Sequence, residues 1–310
     1  MLRSIARWMF YKFQYLKLYK YRHSVKILTA EETIDRIIAN KISVCRFGDG
    51  EFNVVINQIK GYDISRKSGF QNFDKKLASR LIEILKTDQE QNSNCLVCLP
   101  GCMFAIGTGY LRRYAASFWE EYTYKNIHTI LKLLNTANTY GDTNFSRFYL
   151  SHKNKKNCKS YLQHVKLIWQ NRNILIVEGN KTLLGVGNDL FSNAKNIKRI
   201  ICPPKNAWHS YDAIHSAVVD ELSKEDEKTL VICALGMTAT VLAYDLAELG
   251  FQAIDIGHID IEYEWMRMNA VSKVAVPGKF TNEAKNKIDN YDLRDNKYFS
   301  EIVRNIEHQD

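Results

Sequence analysis

The chain has 310 residues, 45% hydrophobic and 25% charged, with only 4 prolines and 15 glycines. That composition excludes a disordered or collagenous chain, leaves no long flexible linker, and suffices for a sizeable core. The net charge of +9 would suit nucleic acid, but seven basic residues and no acid fall within residues 1–26, leaving +2 for the rest. No nucleic-acid partner is therefore expected.

Residues 1–26 read as a basic amphipathic arm ahead of one large domain, residues 27–310. At about 100° per residue, Leu2, Ile5, Ala6, Met9, Phe13 and Leu16 share a helical face flanked by Lys12 and Lys17. Trp8 and several tyrosines add side chains that favour lipid headgroups. Charges interrupt every apolar run, so neither a membrane span nor a signal peptide is expected. An interfacial helix on an anionic membrane surface fits, which would make the protein cytoplasmic and peripheral to the inner face of the membrane. A helix packed on the protein's own core is the alternative.

In the body, AEETIDRIIANK is expected to be a helix with Thr29 as N-cap and Glu32 closing a capping box. SVCRF is a strand, and the glycines around Asp49 turn it into a helix, EFNVVINQI. The helix FDKKLASRLIEILK leads to the strand CLVCL. Helices follow over about residues 110–137 and 158–170. Thereafter the strands NILIVEG, KRIICPP, TLVICALG and FQAIDIG alternate with helices over residues 211–222 and MTATVLAYDLAELG. Continuous apolar strands separated by helices indicate a mostly parallel, Rossmann-like α/β sheet covered on both faces. Ligands in such sheets bind beyond the strand carboxyl ends, which gathers Asp49, Glu178, Pro203, Gly236 and His258 into one candidate region.

Cys95, Cys98 and Cys102 form C-x-x-C-x-x-x-C, but no second pair completes a zinc site. CLVCL reads as buried strand, and the seven cysteines fit a reducing compartment.

Several segments carry chemistry. In ALGMTATVLA a turn at Gly236 opens a helix at Thr238 and Thr240, which suits a phosphate or serves simply as a turn. In GVGNDLF, Asn188 and Asp189 could meet sugar hydroxyls, or the glycines could mark an ordinary loop. GHIDIEYEW sets His258, Asp260, Glu262 and Glu264 beside a strand end, where an acid could be a general base or His258 a metal ligand; a solvated helix start is the alternative. In CRFGDGEF, an extended turn would aim Asp49 and Glu51 the same way, as a hard divalent cation requires.

Together RFGDGEF, FSRFY, VEG with GVGNDLF, CPPKNAW, ALGMTATVLAYDLA, IDIGHIDIEYEW and VPGKFTNEA resemble the GT-D glycosyltransferases, formerly a domain of unknown function. The resemblance spans about residues 40–284. It implies a GT-D-type fold, a nucleotide-sugar donor, typically UDP-hexose, and Mn²⁺ or Mg²⁺. It puts the signature D-x-E on Asp49 and Glu51 as the metal and diphosphate site, and its later motifs imply nucleotide and sugar contacts. From position within the motifs, His258 is expected as a further metal ligand and Arg46, Gly48, Gly187, Asn188, Asp189, Asn206, Gly236, Thr238 and Thr240 as donor contacts. Asp260, or else Glu262, would deprotonate a glycan acceptor carried on lipid or protein. A nucleotide-sugar phosphohydrolase and a non-catalytic scaffold are the competing readings.

Overall fold

CLVCL forms a strand buried along its whole length, and its alternate side chains enter different cores. Cys95, Val97 and Leu99 join one hydrophobic cluster, Leu96 and Cys98 the other. The same split recurs at Cys45 against Val44, and at Leu175 and Val177 against Ile174 and Ile176. A period of two with both faces apolar requires helices on both sides of the sheet.

The computed structural model describes residues 2–61, 71–89, 94–224, 228–280, 284 and 296–306, with side chains from residue 5 onward. The strands are β1 (Lys26–Ile27), β2 (Ser43–Arg46), β3 (Cys95–Leu99), β4 (Thr139–Asp142), β5 (Asn173–Gly179), β6 (Asn196–Cys202), β7 (Leu230–Ala234), β8 (Ala253–Asp255) and β9 (Ile302–Asn305). They make a nine-stranded sheet in the order β1-β4-β3-β2-β8-β7-β5-β6-β9, with every pairing parallel. The Rossmann-like parallel sheet expected from the sequence is therefore present, widened by β1, β4 and β9.

The helices are α1 (Leu2–Lys17), α2 (Tyr19–Arg22), α3 (Ala30–Asn40), α4 (Asp49–Lys60), α5 (Lys75–Lys86), α6 (Arg113–Leu131), α7 (Cys158–Lys166), α8 (Tyr211–Leu222), α9 (Met237–Glu248), α10 (Ile259–Arg267) and α11 (Asn296–Glu301). Apolar residues of α4, α5, α6, α8 and α9 fill one face, and those of α3, α7 and α10 fill the other. The capping box of α3 forms as expected: Glu32 N donates to Thr29 Oγ1, and Thr29 N to the Glu32 carboxylate at 2.7 Å. All seven cysteines are free and buried. Among the described residues, no helix is long and apolar enough to cross a membrane.

The N-terminal arm is helical and lies against α6. Arg7 pairs with Glu121 at 2.6 Å, Tyr15 donates to the Cys102 carbonyl, and buried Arg22 donates to the Phe104 carbonyl. The inward residues are Tyr15, Leu18 and Arg22, with Trp8 and Tyr11 half-buried. The apolar stripe noted in the sequence, represented by Met9, Phe13 and Leu16, faces solvent instead. One helix thus carries two apolar faces, and the sequence reading found the outer one.

The sheet meets itself between β2 and β8, whose registered pair is Val44 with Ile254. On one side the chain runs outward through β3 and β4; on the other stand β7, β5, β6 and β9. A crevice beyond the strand ends at such a junction is the usual ligand site of open α/β sheets.

Candidate active site

Three helices begin at this junction, and their first residues line one cavity of about 830 Å³. Gly48, Asp49 and Gly50 come from the start of α4, Gly236 and Met237 from α9, and Gly257, His258 and Asp260 from α10. Free backbone N–H groups and aligned dipoles make each helix start favourable to an anion. A Cβ on Gly50 would stand 3.2 Å from the Met237 side chain, so the starts of α4 and α9 are in close contact.

The cavity floor is a buried ionic group. Arg46 ends β2 and Asp255 ends β8; Arg46 Nη1 lies 3.4 Å from Asp255 Oδ1. Arg46 Nε also donates to the Thr143 carbonyl, and Asp255 accepts from Gly257 N and Thr240 Oγ1. Burial pushes the Asp255 carboxyl up, and the Arg46 guanidinium partly offsets this. Gly257 has φ 55°, and a Cβ there would sit 1.7 Å from Arg46 Nη1. Only glycine lets the guanidinium lie across this turn.

Asp49 and Glu51 differ from the expected extended turn. The helix starts at Asp49, so the two acids are two positions apart in its first turn, about 200° around the axis. Asp49 is exposed, whereas Glu51 folds back to accept from Gly48 N at 2.7 Å. Loss of water around the Glu51 carboxyl pushes it up to about 7, against the lowering effect of that hydrogen bond. Tyr122 of α6 fixes this turn by donating to Asn53 Oδ1. His258 lines the same cavity. Among the described residues, no three His, Cys, Asp or Glu side chains are grouped to hold a metal ion.

The remaining expected site residues divide. Arg46, Gly48, Gly236 and Asp260 line the cavity. Thr240 does not, because its hydroxyl ties the Arg46 carbonyl to Asp255 inside the protein. Thr238 is fully buried and its Oγ1 has no hydrogen-bond partner among the described residues. Asn206 adopts φ 51° and accepts from Asn72 N, beside the lining residue Gln71 but not itself in the lining. The GVGNDLF loop braces α10 rather than lining the cavity. Asn188 donates to Asp260 and Glu264, Asp189 bonds Tyr263 and Lys166, and the Gly187 carbonyl accepts from Arg267.

Asp260 is 2% exposed and held by Lys279 at 2.5 Å. Glu262 Oε2 accepts from Tyr149 N and Leu150 N at 2.9 and 2.8 Å. The alternative base named from the sequence thus lines the cavity and also anchors the backbone where FSRFY ends. Glu178 does not line the cavity, being fully buried against Arg199 at 2.6 Å. Pro203 also lies outside the lining. Of VPGKFTNEA, residues 281–283 lie outside the described residues.

Sequence reasoning missed Asp255, Lys279 and an aromatic wall from α6 formed by Tyr114, Phe118 and Trp119. Asp255 obeys the strand-end rule already applied to Asp49 and was legible on that ground. It also missed Asp142, at the end of β4, which accepts from Gly101 N and Asn144 N. Burial pushes its carboxyl up from 3.8 to about 6. A raised carboxyl contributes stability that is complete below 3.8 and lost as pH rises through about 6. Asp142→Asn retains the accepting oxygen without the charge. Its melting temperature should match the parent's at low pH and exceed it above about 6. A difference independent of pH would refute that account.

Residues 44–284 match the family model described as glycosyltransferase GT-D fold. The chain belongs to the GT-D-fold glycosyltransferases. Similar proteins include glycosyltransferase GlyD of Streptococcus pneumoniae serotype 4, 38% identical over 91% of this chain and 33% of that protein. A probable glycosyl transferase Gly of Streptococcus gordonii is 36% identical over 91% of this chain and 39% of its own length. The chain thus spans about a third of the length of these curated relatives. A solved domain of unknown function 1792, described as a distinct glycosyltransferase fold, superposes with a TM-score of 0.81. It is 36% identical, covering 95% of this chain and all of that one. A new glycosyltransferase of the same domain type from Streptococcus sanguinis gives a TM-score of 0.80 at 36% identity, over 91% of this chain and all of that one.

Proposed function

We propose that this GT-D domain moves a hexose from a nucleotide-sugar donor, UDP-linked, to a glycan acceptor in surface polysaccharide or glycoconjugate synthesis. The observation carrying the reading is the convergence of three helix starts and Arg46 on a cavity that also holds Asp49 and Glu51. A diphosphate placed there meets backbone N–H groups and a guanidinium, the donors that recognise phosphate oxygens.

The donor set fits Mn²⁺ or Mg²⁺ only as an ion completed by substrate. Two carboxylates two positions apart supply hard oxygens, but Glu51 already accepts from Gly48 N and, among the described residues, no third protein ligand is grouped with them. Asp49 and Glu51 would hold the ion, with His258 beside them, and when bound it would neutralise charge on the departing diphosphate. Asp260 is the base of this reading, because it lines the cavity in the first turn of α10, where Lys279 and Asn188 fix its carboxyl. The aromatic side chains of α6 offer the apolar surface on which a sugar ring stacks. Residues 1–26 would hold the domain at the inner face of the membrane, where the acceptor is carried on lipid or protein.

A thermal-shift screen of UDP and UDP-sugars, run with Mn²⁺ and then with chelator, tests the donor site. Metal-dependent stabilisation by UDP is the expected result. Stabilisation indifferent to chelator removes the metal role, and none at all removes the donor assignment. Product analysis with and without glycan acceptors separates transfer from acceptor-independent hydrolysis.

A further inference from the structure

The outer face of α1 makes little contact with the fold, yet it is strongly apolar. Met9, Phe13 and Leu16 are 60%, 56% and 57% exposed although the opposite face of the helix is docked. Large apolar patches of this kind, rimmed by charge, mark interaction surfaces. The rim here is of one sign. Lys12, Lys17 and Lys20 are exposed, and residues 1–26 contain no acid. Lys12 and Lys17 sit over the rings of Trp8 and Phe13, so their cationic heads lie beside apolar side chains. An apolar face edged by lysine complements an anionic lipid surface, into which the apolar side chains insert while the lysines meet headgroups.

The position of α1 ties this face to the cavity. Arg7 binds Glu121, Phe10 packs on Tyr124 and Trp8 lies against Arg113, all on α6. Tyr114 and Phe118 occupy the preceding turns of that helix, line the cavity, and are 47% and 46% exposed. At positions 114, 118, 121 and 125 the spacing follows one helical face. The side of α6 that carries the arm therefore continues into the aromatic wall of the cavity.

We propose that α1 seats the domain on an anionic bilayer and that the acceptor is a saccharide carried on a lipid in that bilayer, reaching the cavity along α6. The identity of the acceptor rests on the transferase reading; the seating does not. Phe13→Glu with Leu16→Glu changes two exposed side chains, leaving the docked face and the cavity untouched. Co-sedimentation should recover the parent at least about tenfold better with phosphatidylcholine–phosphatidylglycerol vesicles than with phosphatidylcholine alone. The double variant should stay in the supernatant, with its melting temperature and its shift by UDP unchanged.

Recovery that ignores the anionic lipid or the double substitution overturns the seating. So does a dimer in light scattering that the substitution dissolves, since a second copy would then cover the face. For the acceptor, transfer to a lipid-carried saccharide in vesicles should fall about tenfold or more in the variant. Transfer to a soluble glycoside of the same sugar should not change. An equal fall for both, or preference for a peptide-borne glycan, overturns the acceptor assignment. Failure of UDP to bind the parent would sink the transferase reading while leaving the vesicle result to be judged alone.

Discussion

Asp49→Asn is expected to lower transfer from the nucleotide sugar by about a hundredfold or more while the protein melts within a few degrees of the parent. The rate expectation follows from charge. On the proposed reading, a divalent ion held by Asp49 would contribute several kcal/mol by neutralising the leaving group, and about 1.4 kcal/mol is a factor of ten. The small stability change follows from placement. Asp49 is exposed at the first position of α4, where its charge favours the helix start by about 0.3–1 kcal/mol. Glu51 is different, because its carboxylate satisfies Gly48 N. Glu51→Ala should lose activity and also about 0.5–2 kcal/mol of stability, the usual worth of a helix cap, whereas Glu51→Gln retains the accepting oxygen. Steady-state kinetics beside calorimetry on the three variants checks this. An Asp49→Asn enzyme within tenfold of the parent would remove Asp49 from the site.

These contrasts explain how much the sequence disclosed. Apolar runs such as CLVCL and TLVICALG fixed the central strands because a strand buried on both faces tolerates little else. The box of Thr29 and Glu32 marked a helix start whose two reciprocal bonds need only local sequence. Gly48 with Glu51 makes half of the same pattern, but a glycine cap has no side chain to announce it, and Gly-Asp-Gly reads as a turn. β4 was hidden because TYGD is short and ends in a polar residue that only tertiary contacts with Gly101 and Asn144 explain. β9 pairs with β6 about a hundred residues earlier, a register no local pattern encodes. Asn188 and Asp189 were read as meeting sugar hydroxyls or as an ordinary loop, and they bond residues of α10 instead of lining the cavity. Sequence shows that a loop is polar; only packing shows whether those groups face a cavity or brace α10.

Arg46→Met should be the most destabilising change near the cavity, costing about 3–5 kcal/mol and lowering the melting temperature by roughly 5–8 °C. The guanidinium and the Asp255 carboxylate are buried, with side-chain exposures of 10% and 7%, so removing one leaves the other without its charge partner in a poorly solvated place. The loss is not the strength of the pair itself, which burial largely offsets. Asp255→Asn in the same protein should therefore recover part of the stability, and a double-mutant cycle should show coupling of at least about 0.5 kcal/mol. The pH dependence has a defined sign. Asp255 already titrates above its ordinary 3.8 because of burial, and Arg46 is the largest influence holding it down. Without Arg46 the carboxyl rises further, so the deficit of the variant should be smallest below 3.8 and grow as pH rises through the folded-state value. Additive single effects, or a deficit that shrinks toward alkaline pH, would refute the pairing. Gly257→Ala approaches the same group from the other side. Its Cβ would fall 1.7 Å from Nη1 at a φ of 55°, displacing the guanidinium without deleting its charge. Activity should fall with both substitutions, but only Arg46→Met should expose the Asp255 charge. If donor binding requires the guanidinium at the ends of β2 and β8, Arg46→Lys will not restore it. An ammonium cannot bond Thr143 and Asp255 with one planar fork while presenting a further N–H to a phosphate.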